Sequence, residues 1–306
     1  RMAQQKIEAE LLLSDDSFDQ DTFLGPGRVV ESRRETIVRY LAIAGARSDR
    51  PDVQDWKIRR PAPGFNPHVY SAGHAADLVR ANAFADFVRK GKPAGPWMAP
   101  VLRADDFVAA GYPSGKLRAA VHAHFFYPEL AEDLLAKIRL NATRCDLLIT
   151  TNDDAKARYL GRVLETYAGG KVDIRVVPNQ GRDIGPLFTE FGGVLSAYDV
   201  VGHLHGKRSR WHEDANVGEV WREFLWQNLI GGRHRMMDRI IAQFELEPRL
   251  GLIFPADPHI IGWTQNRELA QSLAGRMGYE SPLPDAFDFP VGTMSVSYTH
   301  LTLPTI

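Results

Sequence analysis

Apolar and polar positions alternate strictly along "AAVHAHFF". Val121, Ala123 and Phe125 share one face and His122 and His124 the other, which predicts a strand. The period then becomes helical. "PELAEDLLAKIRL" puts Leu130, Leu134, Leu135 and Ile138 on one side, with Pro128 at a suitable start. "DLLITT" reads as a short buried strand. "DDAKARYLGRVLETYAGG" reads as a helix with an acidic start and a glycine stop, its face made by Ala157, Leu160, Leu164 and Tyr167. "DIRVV" gives a third strand, a helix follows from Gly185 to Ser196, and "YDVVGHL" gives a fourth strand. Strands and helices in alternation with short links predict an α/β fold with a doubly wound, mostly parallel sheet. Its core should include Val121, Phe125, Leu148, Ile149, Val176, Val200 and Ile253.

The rest of the chain divides around this pattern. Residues 1–60 read as a peripheral segment, partly helical or linker. An acidic run, "SDDSFDQD", is expected to be a solvated loop. From Arg28 to Arg60 the balance turns basic, so contact with an anionic membrane surface is one expectation and a solvated linker face the other. Residues 61–110 form a small helical module bracketed by prolines and glycines, with Phe65, Tyr70, Leu78, Phe84, Phe87 and Val88 as its core. Residues 115–294 carry the α/β domain. The helix "VWREFLWQNLIGG" within it should turn Val220, Phe224, Leu225 and Leu229 inward, with Trp221 and Trp226 as core rather than sugar platforms. The tail 295–306, "SVSYTHLTLPTI", fits nothing before it and is expected to be non-native read-through outside the fold.

Composition changes the picture little. The chain has 306 residues, 44% hydrophobic and 25% charged, the balance of a globular protein. A net charge of −1 gives no general attraction to nucleic acid. The single cysteine, Cys145, excludes an internal disulfide framework and a multi-cysteine zinc site, and points to a reducing compartment. No long apolar run and no signal pattern is present. A cytoplasmic fragment of a longer protein, able to work at the inner face of the membrane, is the expectation.

Candidate chemistry sits where parallel sheets place ligands, beyond the carboxyl ends of the strands. In "VVPNQGRDIGP", Asn179 and Gly181 suit a tight turn and Asp183 can cap the following helix, with Pro186 in its first turn. That helix start, with Arg182 beside it, suits a phosphate. Arg182 paired simply with Asp183 or Asp199 is the competing reading. In "YDVVGHLHGKRS", His203 and His205 share one face, and Lys207, Arg208 and Ser209 follow where the strand opens. With His122 and His124 on another strand, four histidines could hold a transition metal. A cationic cradle for a diphosphate is simpler, because Lys207 and Arg208 neutralise phosphate directly. The fingerprints G-x-G-x-x-G, G-x-x-x-x-G-K-[ST] and G-x-S-x-G are absent, which argues against a nicotinamide enzyme, a P-loop ATPase and an α/β-hydrolase.

"NQGRDIGP", "YDVVGHLHGKRS", "WREFLWQNLIGG", "LGLIFPAD" and "DFPVGTM" resemble, in order and spacing, the successive motifs of the rhamnan synthesis protein F family, from about Arg118 to Met294. The small module before them resembles one found beside bacterial glycosyltransferase domains. The resemblance implies rhamnosyl transfer in bacterial cell-surface polysaccharide synthesis, rhamnan or O-antigen, from a nucleoside-diphosphate sugar such as dTDP-rhamnose. The acceptor would be a glycan or lipid-linked glycan. The segment also resembles the nucleotide-sugar half of GT-A-fold glycosyltransferases, with a departure. Where those carry an Asp-x-Asp metal motif, this chain has His203-Leu204-His205-Gly206-Lys207. Without carboxylates there is little to hold Mg²⁺, so a metal-independent site is expected. The donor-phosphate ligands would then be Asn179, Gly181, Arg182, Asp183, His205, Lys207, Arg208 and Ser209. Asp285 and Asp288 are the candidate catalytic bases. A non-catalytic assembly protein that binds glycan or sugar phosphate through the same cradle is the alternative function.

Overall fold

The computed structural model describes residues 2–25, 31–47, 59–74, 78, 81–103, 113–206, 215–263 and 266–299. The chain forms two compact units, one of Arg1–Val101 with Ala256–Val291, the other of Leu102–Pro255 with Gly292–Ile306.

In the N-terminal stretch of the first unit the helices are α1 (Met2–Ser14), α2 (Gln20–Leu24), α3 (Arg33–Arg47), α4 (Pro67–Gly73) and α5 (Ala83–Arg89). Asn66 and Asn82 cap α4 and α5, each side-chain oxygen accepting from two backbone N–H groups. One aromatic core serves all five helices. Phe18, Phe23 and Tyr40 pack with Phe65, Tyr70, Phe84 and Phe87, and the Phe18 and Tyr40 rings each lie 6.4 Å from that of Phe84. The expectation that residues 1–60 are peripheral is therefore corrected for their described part. Phe18 stands alone among acidic residues in the sequence, so its burial is invisible to local patterning. The Phe65, Tyr70, Phe84, Phe87 and Val88 core expected for the module is present, with Leu78 packed against it.

The second unit is built on a six-stranded sheet: β1 (Ala119–Phe125), β2 (Cys145–Thr151), β3 (Val172–Val176), β4 (Val200–His205), β5 (Leu252–Ile253) and β6 (Ser295–Tyr298). The order is β3-β2-β1-β4-β6-β5. The first four strands are parallel, and β6 runs antiparallel to both β4 and β5. Between the strands lie α6 (Leu130–Ile138), α7 (Asp154–Leu164), α8 (Ile184–Leu195), α9 (Ala215–Leu229) and α10 (Met236–Leu246), while α11 (Arg267–Arg276) belongs to the first unit. The α/β, mostly parallel sheet is as the alternation of patterns predicts.

Both sheet faces are covered, which is why β1 and β4 are buried at every position. Val121, Ala123, Phe125, Leu147, Ile149, Val200 and Leu204 form the larger core with α6, α7, α9 and α10. On the other face Ala120, Leu148 and Val201 pack against Leu187, Phe191 and Leu195 of α8. Three expectations need correction. Val176 is 44% exposed, because β3 is the sheet edge and Val176 its last residue. Ile253 is only partly buried, in a two-residue edge strand. Val220 is exposed, while Leu225, Trp226 and Leu229 face inward and Trp221 and Phe224 are partly buried. The tail is not wholly outside the fold either. Residues 295–298 pair with β4, and Val296 and Met294 are buried beside it. The sheet edge left open by β4 offers hydrogen bonds that any extended β-branched segment can take.

Candidate active site

The strand order reverses between β1 and β4. From β1 the chain steps outward through β2 to β3, then crosses back to lay β4 on the other side of β1. Doubly wound sheets bind their ligands at such a switch point. The two strands meeting there end in the two histidine pairs, His122 opposite His203 and His124 opposite His205. On β2, Thr150 lies opposite His124. The α8 face of the sheet is thus apolar at Ala120, Leu148 and Val201, and polar toward its C-terminal end.

The polar groups bond one another in series. His122 and His203 meet Nδ1 to Nδ1 at 2.9 Å, and Thr150 Oγ1 lies 3.2 Å from His122 Nε2 and 2.9 Å from His124 Nδ1. His203 Nε2 reaches Asp183 Oδ2 at 3.3 Å. The ring of Phe191 stands edge-on to His122 at 5.8 Å and closes the group from below. Burial, with His203 and His124 nearby, holds the His122 imidazole well below its ordinary basicity. Burial lowers His124 as well. For Asp183 burial acts upward, but the His203 hydrogen bond, the His205 charge and the Thr293 hydroxyl outweigh it. The carboxyl stays well below the usual range and is ionised.

Asp183 precedes α8, as the turn chemistry suggests, but its side chain makes no cap hydrogen bond. The carboxylate turns to His203 and Thr293 instead. Its expected part in holding a donor phosphate is corrected accordingly, since an ionised carboxylate committed to the sheet repels an anion. The turn before it is unusual. Gly181 and Arg182 both have positive φ, 72° and 54°, and a Cβ on Gly181 would stand 2.8 Å from Gly185 Cα. Thr293, against Asp183, has φ 65°, a conformation that β-branched residues rarely adopt. Backbone strain gathered around one carboxylate is a mark of a functional site. Arg182 is exposed beside Asn179 and Gly181. The pairing of Arg182 with Asp183 or Asp199 does not form, since no ion pair links them.

The other expected residues fall out differently. His205 donates from Nε2 to the Gly292 carbonyl at 2.8 Å, which removes that nitrogen from phosphate binding. Lys207, Arg208 and Ser209, which follow β4, lie outside the described residues. The four histidines do come into register, yet most of their nitrogens, His124 Nε2 excepted, are bonded to one another, Thr150, Asp183 and Gly292. Among the described residues no group of three or more His, Cys, Asp or Glu is placed to hold a metal ion. Asp285 and Asp288 belong to the first unit. Asp285 is highly exposed and pairs with Arg267. Asp288 accepts from Arg60 at 2.6 Å and Asn66 at 2.8 Å, contacts within the first unit. Two site residues escape the sequence pattern. Thr150 could have been found as the outward residue of "DLLITT", whereas Thr293 meets Asp183 across 110 positions with no local signal.

No helix among the described residues is long and apolar enough to cross a membrane. No curated protein matches the chain at a significant level. Among solved structures it is similar to the mannosyltransferase PcManGT from Pyrobaculum calidifontis in complex with GDP-Man and Mn²⁺. The identity is 12% and the TM-score 0.37, over 76% of this chain and 55% of that one, so the chain spans about half that protein's length. The family description "Rhamnan synthesis protein F" matches residues 96–294, more than half of the chain and all of β1 to β5. The chain belongs to the rhamnan synthesis protein F family.

Proposed function

We propose that the second unit binds a nucleoside-diphosphate sugar at the β1–β4 switch point and transfers its sugar, rhamnose, to a growing bacterial cell-surface glycan. The observation that carries this reading is the convergence of a strained, cation-bearing turn, Gly181–Arg182, with the polar ends of β1 and β4. The start of α8 and Arg182 would take the diphosphate, with Asn179 and Gly181 shaping the turn. Lys207, Arg208 and Ser209 follow His205 and Gly206 in sequence and would complete the cradle, offsetting charge as the diphosphate leaves. Family membership supports a role in polysaccharide synthesis. In this reading the donor is dTDP-rhamnose, the site works without metal, the acceptor is a glycan or lipid-linked glycan, and the protein acts in the cytoplasm at the inner membrane face.

Full-length protein incubated with dTDP-rhamnose and a lipid-linked acceptor tests the proposal. Transfer of radiolabelled rhamnose supports it. Donor binding without transfer assigns the non-catalytic assembly role instead, and absence of binding to any nucleoside-diphosphate sugar overturns both.

A further inference from the structure

The hydrogen bonds between β1, β2 and β4 form one chain, and Asp183 sets its first donor. An ionised carboxylate only accepts, so His203 must donate from Nε2. One of the two facing Nδ1 atoms must donate across the 2.9 Å between them, and the chain we infer has His122 donating and His203 accepting. This leaves His122 Nε2 to accept the Thr150 hydroxyl proton, and Thr150 Oγ1 to accept from His124 Nδ1. His124 Nε2 is left with a lone pair and no bond to a described residue. It lies on the penultimate residue of β1, at the end of the sheet where the ligand is placed.

We infer that His124, Thr150, His122 and His203 form a proton relay, in which His124 is the catalytic base for the acceptor hydroxyl and Asp183 holds the delivered charge. The inference rests on the transferase reading above. As the acceptor oxygen bonds to the anomeric carbon, the bond from that carbon to the diphosphate breaks, and its electron pair leaves with the diphosphate. The hydroxyl proton goes to His124 Nε2. His124 passes its Nδ1 proton to Thr150, Thr150 passes its own to His122 Nε2, and His122 passes its Nδ1 proton to His203. At the end His124 and His122 are neutral in the opposite tautomer, and His203 is an imidazolium facing the Asp183 carboxylate at 3.3 Å. No charge rests on His122, the most buried ring. Thr150 is the only non-titrating link and is fully buried, so it is the place to cut.

Two measurements on the full-length protein test the relay. Long-range ¹H–¹⁵N spectra of the histidine rings at neutral pH should show His122 and His124 protonated at Nδ1 and His203 at Nε2. His122 or His124 protonated at Nε2 in the resting protein overturns the relay whether or not any transfer is found. In the transfer assay Thr150→Val, which keeps the shape and removes the hydroxyl, should lower kcat about a hundredfold with the donor KM unchanged. Thr150→Ser should restore most of it. Should Thr150→Val fail to fold, Thr150→Ser and the tautomers still decide. Wild-type kcat in a folded Thr150→Val, or loss of transfer in Asp285→Asn with the tautomers as stated, returns the base to another residue. If the wild-type protein transfers nothing, the transferase reading fails and the hydrogen-bond chain stands or falls on the tautomers alone.

Discussion

The Arg60 guanidinium holds the Asp288 carboxylate at 2.6 Å, joining parts of the first unit that are 228 positions apart in sequence. Both side chains are largely buried, 7% and 18% exposed. Arg60 also donates to the carbonyls of Asp257 and Phe65, and Asn66 adds a second donor to Asp288. Removing one partner of a buried pair strands the other charge. Asp288→Ala should therefore destabilise the unit by about 3 kcal/mol in urea unfolding. An unchanged midpoint would show that the pair contributes nothing to the stability of the unit.

Acid should weaken the second unit before its carboxylates titrate. Burial keeps His122 and His124 from taking protons in the folded state, while in the unfolded chain each takes one near pH 6.5. The unfolded state then binds more protons below that pH, so stability is complete above it and falls as the pH drops toward 5. The slope is up to about 1.4 kcal/mol per pH unit for each group. Asp183 has the usual carboxylate sign: its contribution is present above about pH 4 and is lost in stronger acid. Chemical denaturation at pH 7.5 and 5.5 measures the histidine part, and His122→Phe should flatten it. A flat wild-type profile would show that the rings are charged in the folded protein.

Local periodicity made the parallel half of the sheet legible. The alternation through β1 placed Val121, Ala123 and Phe125 on one face and the histidines on the other, as observed. The Leu130, Leu134, Leu135 and Ile138 face of α6 was equally readable. What failed depends on distance in sequence. Val176 looks like any buried strand valine, and only its place at the sheet edge exposes it. Phe18 joins a core whose members run from Ala9 to Val88. At the site, the residue types and the turn were visible. The use of Asp183 was not, because a capping aspartate and one turned toward His203 have the same local sequence.

Gly181 offers a test of the turn itself. Its φ of 72° and the 2.8 Å approach of a Cβ to Gly185 Cα leave no room for a side chain. Gly181→Ala should cost about 1–2 kcal/mol of stability and displace Arg182. Donor binding measured by calorimetry should fall more than stability does. Equal donor affinity in Gly181→Ala would remove this turn from the donor site.

Metal and salt separate a cationic cradle from a metal-bridged one. If Lys207 and Arg208 hold the donor diphosphate with Arg182, affinity should survive EDTA and fall with added salt, since ionic contacts are screened over about 10 Å at 0.1 M. Lys207→Ala should cost about 1.5–3 kcal/mol of donor binding, the range for hydrogen bonds to charged groups. His205→Gln should cost less, because the His205 Nε2 proton already goes to the Gly292 carbonyl. Both nitrogens of His122 and of His203 are bonded to Thr150, Asp183 and one another, so coordination through these two rings would require this network to come apart. Isothermal titration of the donor with and without EDTA, then with Mn²⁺ or Zn²⁺ restored, decides between the two. Binding abolished by EDTA and recovered with metal would make the histidines ligands and end the cradle.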